Sequence, residues 1–231
     1  PLFRSSAASD VYKRQDKGYV REITSPEPLF FSRMFTVPKP EKGVFRPIID
    51  LSILNTYLIP PKFRMDTMTK IVKTICPGMW GTKIDLDNAY YSVIMAPEFH
   101  KYLAFTLGDR IFVYQVLPFG LAIAPWAFTR VLKPIKKRLH LEGICMSHYL
   151  DDFIVLAFSQ VLAVSHTRRT TEFLQSMGFS INWRKSALLP CQRLTFLGVC
   201  LDLKLMQLSL PPEKASRILE ICKSLPTKQQ A

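Results

Sequence analysis

The run Ile144-Cys145-Met146-Ser147-His148-Tyr149-Leu150-Asp151-Asp152-Phe153-Ile154-Val155-Leu156-Ala157-Phe158 places two adjacent carboxylates inside a mostly apolar stretch. Such a stretch normally becomes buried strand, and an unpaired buried carboxylate is among the costliest groups a fold can hold. Something positive must therefore meet these acids. Neighbouring strand residues face opposite ways, so the pair fits best at a tight hairpin turn, where both carboxylates can approach one sheet edge. A surface hairpin that uses Asp only because Asp suits turns fits the same pattern. A second acidic cluster bears on the choice.

That cluster is Lys83-Ile84-Asp85-Leu86-Asp87-Asn88-Ala89-Tyr90-Tyr91. The approach Trp80-Gly81-Thr82-Lys83-Ile84 reads as a short strand that ends at Asp85. Acids at the ends of two strands far apart in sequence suit a hard divalent cation. Mg²⁺ takes oxygen ligands and is commonly held by one or two carboxylates plus substrate phosphates. Two such ions activate the attacking oxygen and stabilise the leaving one in phosphoryl transfer. A helix N-cap after a strand is the other reading of Asp85.

The residues carry a resemblance to the fingers and palm of a reverse transcriptase, with the motifs in the family's order. Phe35-Thr36-Val37-Pro38-Lys39, Phe45-Arg46-Pro47-Ile48-Ile49-Asp50-Leu51 and Leu54-Asn55 resemble the fingers segment that holds incoming nucleotide. Residues 85–91 resemble the first catalytic motif, and Leu117-Pro118-Phe119-Gly120-Leu121-Ala122-Ile123-Ala124-Pro125-Trp126-Ala127-Phe128 the template-and-nucleotide motif. Tyr149-Leu150-Asp151-Asp152 is the YxDD box. Gly178-Phe179-Ser180-Ile181-Asn182 with Lys185-Ser186 resembles the fourth motif, and Leu194-Thr195-Phe196-Leu197-Gly198 the primer grip. Leu210-Pro211-Pro212-Glu213-Lys214 looks like the start of a thumb. The wording leans towards retroelement enzymes of the DIRS type (tyrosine-recombinase retrotransposons).

The resemblance implies an α+β right-hand polymerase whose palm is of the split βαβ (ferredoxin-like) type with an antiparallel sheet. It implies RNA-directed DNA synthesis with an RNA template, a DNA primer and dNTPs as partners, and two Mg²⁺ ions (or Mn²⁺) as cofactors. Asp85, Asp151 and Asp152 are then the catalytic, metal-binding acids, Asp152 the least secure as a direct ligand. Lys39, Arg46, Tyr90, Phe119, Gly120 and Lys185 match the positions that contact dNTP. Lys39 and Arg46 would clamp phosphates, Tyr90 would exclude a ribose 2′-hydroxyl, and Lys185 would donate a proton to pyrophosphate. Any one of these residues, taken singly, also fits a plain structural role: solvated lysines, a core aromatic, a turn glycine. Many relatives carry a second acid three residues after the catalytic Asp, where this chain has Asn88.

Composition agrees. The chain has 231 residues, 31 Lys+Arg against 18 Asp+Glu, and a net charge of +13. That balance favours a polyanionic partner, because neutralising phosphates releases counterions. Five dispersed cysteines without CxxC spacing suggest a reduced compartment and no zinc site. No apolar run reaches membrane-spanning length and no secretory signal is visible, so an intracellular protein, cytoplasmic or nuclear, is expected. The oligomeric state stays open. The rival reading is a catalytically inactive, retroelement-derived module that binds nucleic acid; a purely structural hairpin-rich domain explains neither charge nor motif order.

Residues 1–15 read as the translation of sequencing-library adapters, and disorder is expected there. Removing their three basic and one acidic residue lowers the net charge only to +11. The expected layout is fingers 16–80, palm 81–92, fingers 93–123, palm 124–208 and start of thumb 209–231, a fragment of a longer polyprotein with a truncated thumb. Phe128, Val131, Leu132, Ile135 and Leu139 recur at helical spacing, with Pro134 expected to kink that helix. A helix over residues 163–177 ends at Gly178, and strands follow near 179–182, 194–202 and 205–210. The order strand, helix, hairpin, helix, strand fits the split βαβ palm.

Overall fold

In Trp80–Asp87, Thr82, Ile84 and Leu86 are all buried on one face, and Gly81 and Asp85 are buried on the other. The computed structural model describes residues 2–24, 29–38 and 45–224, with side chains from residue 8 onward except those of residues 45 and 46. In chain order the elements are α1 (Leu2–Asp16), β1 (Val20–Ile23), β2 (Arg33–Pro38), β3 (Phe45–Asp50), α2 (Ser52–Thr56), α3 (Met68–Val72) and β4 (Trp80–Asp87). A 3-10 turn (Ala89–Ser92), α4 (Pro97–His100), β5 (Ala104–Leu107), β6 (Arg110–Tyr114) and α5 (Ala124–Leu141) follow. Then come β7 (Cys145–Tyr149), β8 (Asp152–Ala157), α6 (Gln160–Ser176), β9 (Ser180–Ile181) and β10 (Ala187–Cys191). The described chain ends with β11 (Arg193–Phe196), β12 (Val199–Asp202), β13 (Gln207–Ser209) and α7 (Pro212–Ser224).

Two units form: residues 1–64 with 88–133, and residues 65–87 with 134–231. In the second, the sheet order β10-β4-β8-β7 is antiparallel throughout, with β9 pairing the end of β4. That order, with α5 and α6 intervening in the chain, is the split βαβ pattern. The Thr82 face of β4 meets α6, where the Thr82 and Thr167 hydroxyls share a buried hydrogen bond of 2.6 Å. On the other face, a Cβ at Gly81 would stand 3.1 Å from Leu194 and 3.2 Å from Leu203, so any larger residue would require those leucines to shift. Ile71 and Met79 join Ile154, Leu156 and Phe196 in the same core. Residues 65–79 therefore belong to this unit, whereas the sequence suggested a boundary at 80/81.

In the first unit, β1-β6-β5 form one antiparallel sheet and β2-β3 a hairpin. Here the expected disorder of residues 1–15 is corrected: α1 is helical. Val11 is fully buried, and Arg14 donates hydrogen bonds to Pro47 O (3.0 Å), Asp10 and the Tyr114 hydroxyl. With Tyr12 packed edge-on against Phe112 and accepting a hydrogen bond from Arg110, these contacts order an otherwise polar segment. Pro134 lies inside α5 without ending it, β4 runs on through Asp87 where a stop at Asp85 was expected, and no described helix is long and apolar enough to cross a membrane. All five cysteines are free.

Candidate active site

The acids converge because of strand register. In the antiparallel pairing of β4 with β8, Asp85 stands directly opposite Asp152, and Lys83 opposite Ile154. Directly opposed residues share a face, so both carboxylates project from the side opposite α6. Asp151 enters through the two-residue turn that joins β7 to β8, with Tyr149 paired to Asp152. Leu150 takes φ +53° in that turn, a left-handed conformation that a branched side chain seldom adopts. The Leu86 N–H donates to Asp151 O (3.0 Å), tying the turn to β4.

The backbone of Asp85 is held from the other side. Its N–H donates to Ser186 Oγ (3.0 Å), its carbonyl accepts from the Asn182 N–H (2.8 Å), and Ser186 Oγ donates to Asn182 O (2.8 Å). Asn182 and Ser186 were visible as motif letters, but only the fold shows that they position Asp85. The β4–β9 pairing at Leu86 and Asp87 explains why the strand continues past Asp85.

Electrostatics follow from burial. Asp85 is 7% exposed, and its Oδ1 is buried without a hydrogen-bond partner. Burial pushes its carboxyl above the usual carboxylate range; Lys185 opposes this, and the charges of Asp152 and Asp151 add to it. Asp151 is pushed up chiefly by burial too, with Lys185 and Lys83 among the opposing influences. Lys83 Nζ lies 2.7 Å from Asp152 Oδ1. Among the described residues no three His, Cys, Asp or Glu side chains are arranged to hold one ion. The structure thus brings the acids together without closing a three-carboxylate cage. An orphaned buried carboxylate oxygen beside a second elevated acid still fits Mg²⁺, which needs only one or two carboxylates when phosphates complete its shell.

The first unit gathers three of the expected nucleotide contacts. Tyr90 is 6% exposed and packs on Phe119 (ring centroids 4.7 Å) and Phe128 (5.3 Å), whereas Phe119 is 46% exposed. Gly120 has φ +93°, which demands glycine, although a Cβ there would meet only Ile49 O, at 3.8 Å. Asn55 clips this loop: its Nδ2 donates to Gly120 O, and its Oδ1 accepts from the Ala122 N–H, both at 2.8 Å. Arg46 pairs with Val37 in the β2–β3 ladder, its side chain lying outside the described set, and Lys39 falls outside the described residues. Asn88 caps the turn Ala89–Ser92 with φ +50°, and its carbonyl accepts from the Tyr91 N–H (2.8 Å). An apolar cavity of about 540 Å³, lined by residues such as Phe30, Leu54, Tyr57 and Phe99, includes none of the candidate site residues.

A family profile described as reverse transcriptase (RNA-dependent DNA polymerase) matches residues 37–201, well over half of the chain. The chain belongs to this family. Protein P of duck hepatitis B virus (strain United States/DHBV-16) is 25% identical over 219 residues, covering 89% of this chain and 26% of that protein. The Gag-Pol polyprotein of walleye dermal sarcoma virus is 27% identical over 170 residues (71% of this chain, 10% of that protein). The transposon Tf2-3 polyprotein of Schizosaccharomyces pombe (strain 972 / ATCC 24843) is 29% identical over 153 residues (64% and 11%). This reverse transcriptase chain thus spans about a quarter or less of these relatives. Its fold matches the foamy viral protease-reverse transcriptase dRH in complex with double-stranded DNA, with TM-score 0.80, 21% identity, and coverage of 97% of this chain and 38% of that one. The same foamy viral protein in complex with RNA/DNA hybrid gives TM-score 0.79 at 22% identity, over 94% and 27%. The expected fingers-and-palm polymerase fold is borne out.

Proposed function

We propose that this chain is the fingers-and-palm portion of a retroelement RNA-directed DNA polymerase, extending a DNA primer on an RNA template from dNTPs. Register carries the reading: Asp85 and Asp152 oppose each other on one face of a largely buried sheet, with Asp151 at the adjoining turn. A buried sheet accepts such a cluster only where a cation is to be met. Bound Mg²⁺ ions would supply an activated attacking oxygen and a stabilised leaving oxygen. Asp85 and Asp151 present the carboxylate oxygens that would hold them. Lys185, whose charge acts on both acids, would donate a proton to departing pyrophosphate. Lys39 and Arg46 would neutralise the triphosphate, and little covalent help beyond such charge is required. Tyr90, backed by Phe119 and Phe128, forms a rigid wall suited to excluding a 2′-hydroxyl. The net charge of +13 suits a primed template.

The narrower DIRS-type placement rests on motif wording: residues 117–121 with Ala124-Pro125 and Phe128, and Asn182 with Lys185-Ser186. A tyrosine recombinase encoded in the same element would support it. Mg²⁺-dependent extension of a DNA primer on an RNA template tests the activity. Asp151→Asn should abolish extension while duplex binding persists. Retained extension in that variant overturns the assignment, and absence of extension by the unaltered protein favours the binding-module reading.

A further inference from the structure

Lys83 stands on the acidic face and takes no part in the reaction proposed above. It lies two residues before Asp85 on β4 and shares its face. Because Asp85 opposes Asp152, Lys83 is the diagonal cross-strand neighbour of Asp152, close enough for a long side chain to reach. It does reach: Nζ stands 2.7 Å from Oδ1, with the Lys83 side chain 22% exposed and that of Asp152 25%. Asp152 Oδ1 is buried and makes no aligned hydrogen bond, so the ion pair is what meets its charge. Asp85 Oδ1, on the same face, has no such partner among the described residues. Among those residues Asp152 is thus the acid paired with a cation, and Asp85 and Asp151 are not.

We infer that Lys83 is a positioning residue that ties up Asp152, leaving Asp85 and Asp151 as the direct metal ligands. This rests on the magnesium reading of the site and deepens it. A fixed ammonium 2.7 Å from a carboxylate oxygen competes with any divalent ion for that oxygen. Lys83 thereby limits how much negative charge the site offers: with Lys185 also facing it, two cations stand against three carboxylates. Weaker ion binding before substrate arrives leaves metal capture to depend on the triphosphate, which brings its own oxygens. The pair also fixes the side chain of Asp152 across β4 and β8, next to the turn that carries Asp151.

Mn²⁺ titration followed by calorimetry, without nucleotide or primer, separates the outcomes. Lys83→Met, which keeps the stem and removes the charge, should free Asp152 and tighten Mn²⁺ binding by about three- to tenfold; Lys83→Gln should move it in the same direction. Lys83→Arg, retaining the cation, should stay within about twofold of the unaltered protein. Asp152→Asn alone, which leaves the Lys83 charge unpaired, should weaken Mn²⁺ binding clearly less than Asp151→Asn does, and in the Lys83→Met background it should cancel the gain. Unchanged or weaker binding in both Lys83→Met and Lys83→Gln overturns the inference. So does a loss in Asp152→Asn as large as that in Asp151→Asn. If Asp151→Asn itself leaves Mn²⁺ binding unaltered, the metal reading fails instead, a result distinct from either.

Discussion

The two units build their functional surfaces from opposite materials. The sheet unit sets charge into an apolar frame: Asp85, Asp151 and Asp152 project from strands whose neighbours Ile84, Phe153 and Ile154 are fully buried. The other unit uses aromatic packing, with Tyr90 wedged between Phe119 and Phe128 and a glycine turn clipped by Asn55. A buried acid has no structural excuse, because burial of charge is costly unless a partner or ion meets it. A buried tyrosine has every structural excuse. The contrast shows why a sequence displays a cluster of buried acids far more clearly than the role of a buried aromatic.

Substitutions that separate chemistry from selectivity break this comparison most sharply. Asp85→Asn should lower primer extension by at least ~10³-fold, since it removes several kcal/mol of metal-dependent stabilisation, while residual product keeps the same dNTP/rNTP ratio. Tyr90→Val should do the reverse, admitting ribonucleotides while extension with dNTPs persists. Its burial predicts a stability loss of about 2–4 kcal/mol besides, read by denaturant titration. Phe119→Ala, at a half-exposed ring, should cost clearly less stability. An unchanged dNTP/rNTP ratio in Tyr90→Val would return Tyr90 to a purely packing role.

The next effect is one of pH and belongs to the sheet unit. Burial lowers His148 from the ordinary 6.5 to about 4, with Lys136 adding to that and Asp66 opposing. The folded state favours the neutral ring, so this stabilisation is complete above pH 6.5 and is lost as pH falls towards 4. Its size is on the order of 3 kcal/mol. Asp66, which hydrogen bonds from Lys136 and Lys70 hold at about 2 despite its burial, gives way only below its ordinary range, near pH 4 and under. Urea unfolding at several pH values should show the first loss between pH 6.5 and 4, and His148→Gln should flatten that segment alone. A slope that survives the substitution assigns it to other groups.

The smallest effect concerns Asn88. At φ +50° it occupies a left-handed position that Asn and Gly tolerate best. Asn88→Ala should cost about 1 kcal/mol of thermal stability, and Asn88→Gly close to nothing. Equal losses in both would mean that the Asn side chain, and not the backbone, is what matters. The turn that Asn88 begins needs a residue that tolerates this conformation, and Asn meets that need.

Much of the site was legible because its signals are local or repeat along the chain. The YxDD pair at a two-residue turn, the helical stripe of residues 128–139 and Gly178 beyond α6 (φ +88°) all follow from short-range sterics and periodicity. Asn55, Asn182 and Ser186 stood in recognisable motifs, yet their tasks stayed hidden, since a polar side chain names its bonding capacity and not its partner. The order of α1 was missed because Val11, Tyr12 and Arg14 find their partners in segments distant in sequence and leave no periodic trace.

The chain alone showed which residues could do chemistry: three acids in an apolar setting, a lysine in the fourth motif, and an aromatic at the right offset. Folding decided which of those acids Lys83 meets. Whether Lys83 meets Asp152 or Asp85 depends on the offset between β4 and β8, and slipping that pairing by one residue would send every side chain of one strand to the opposite face. No local preference encodes that offset; it is set when segments distant in sequence bury their apolar faces together.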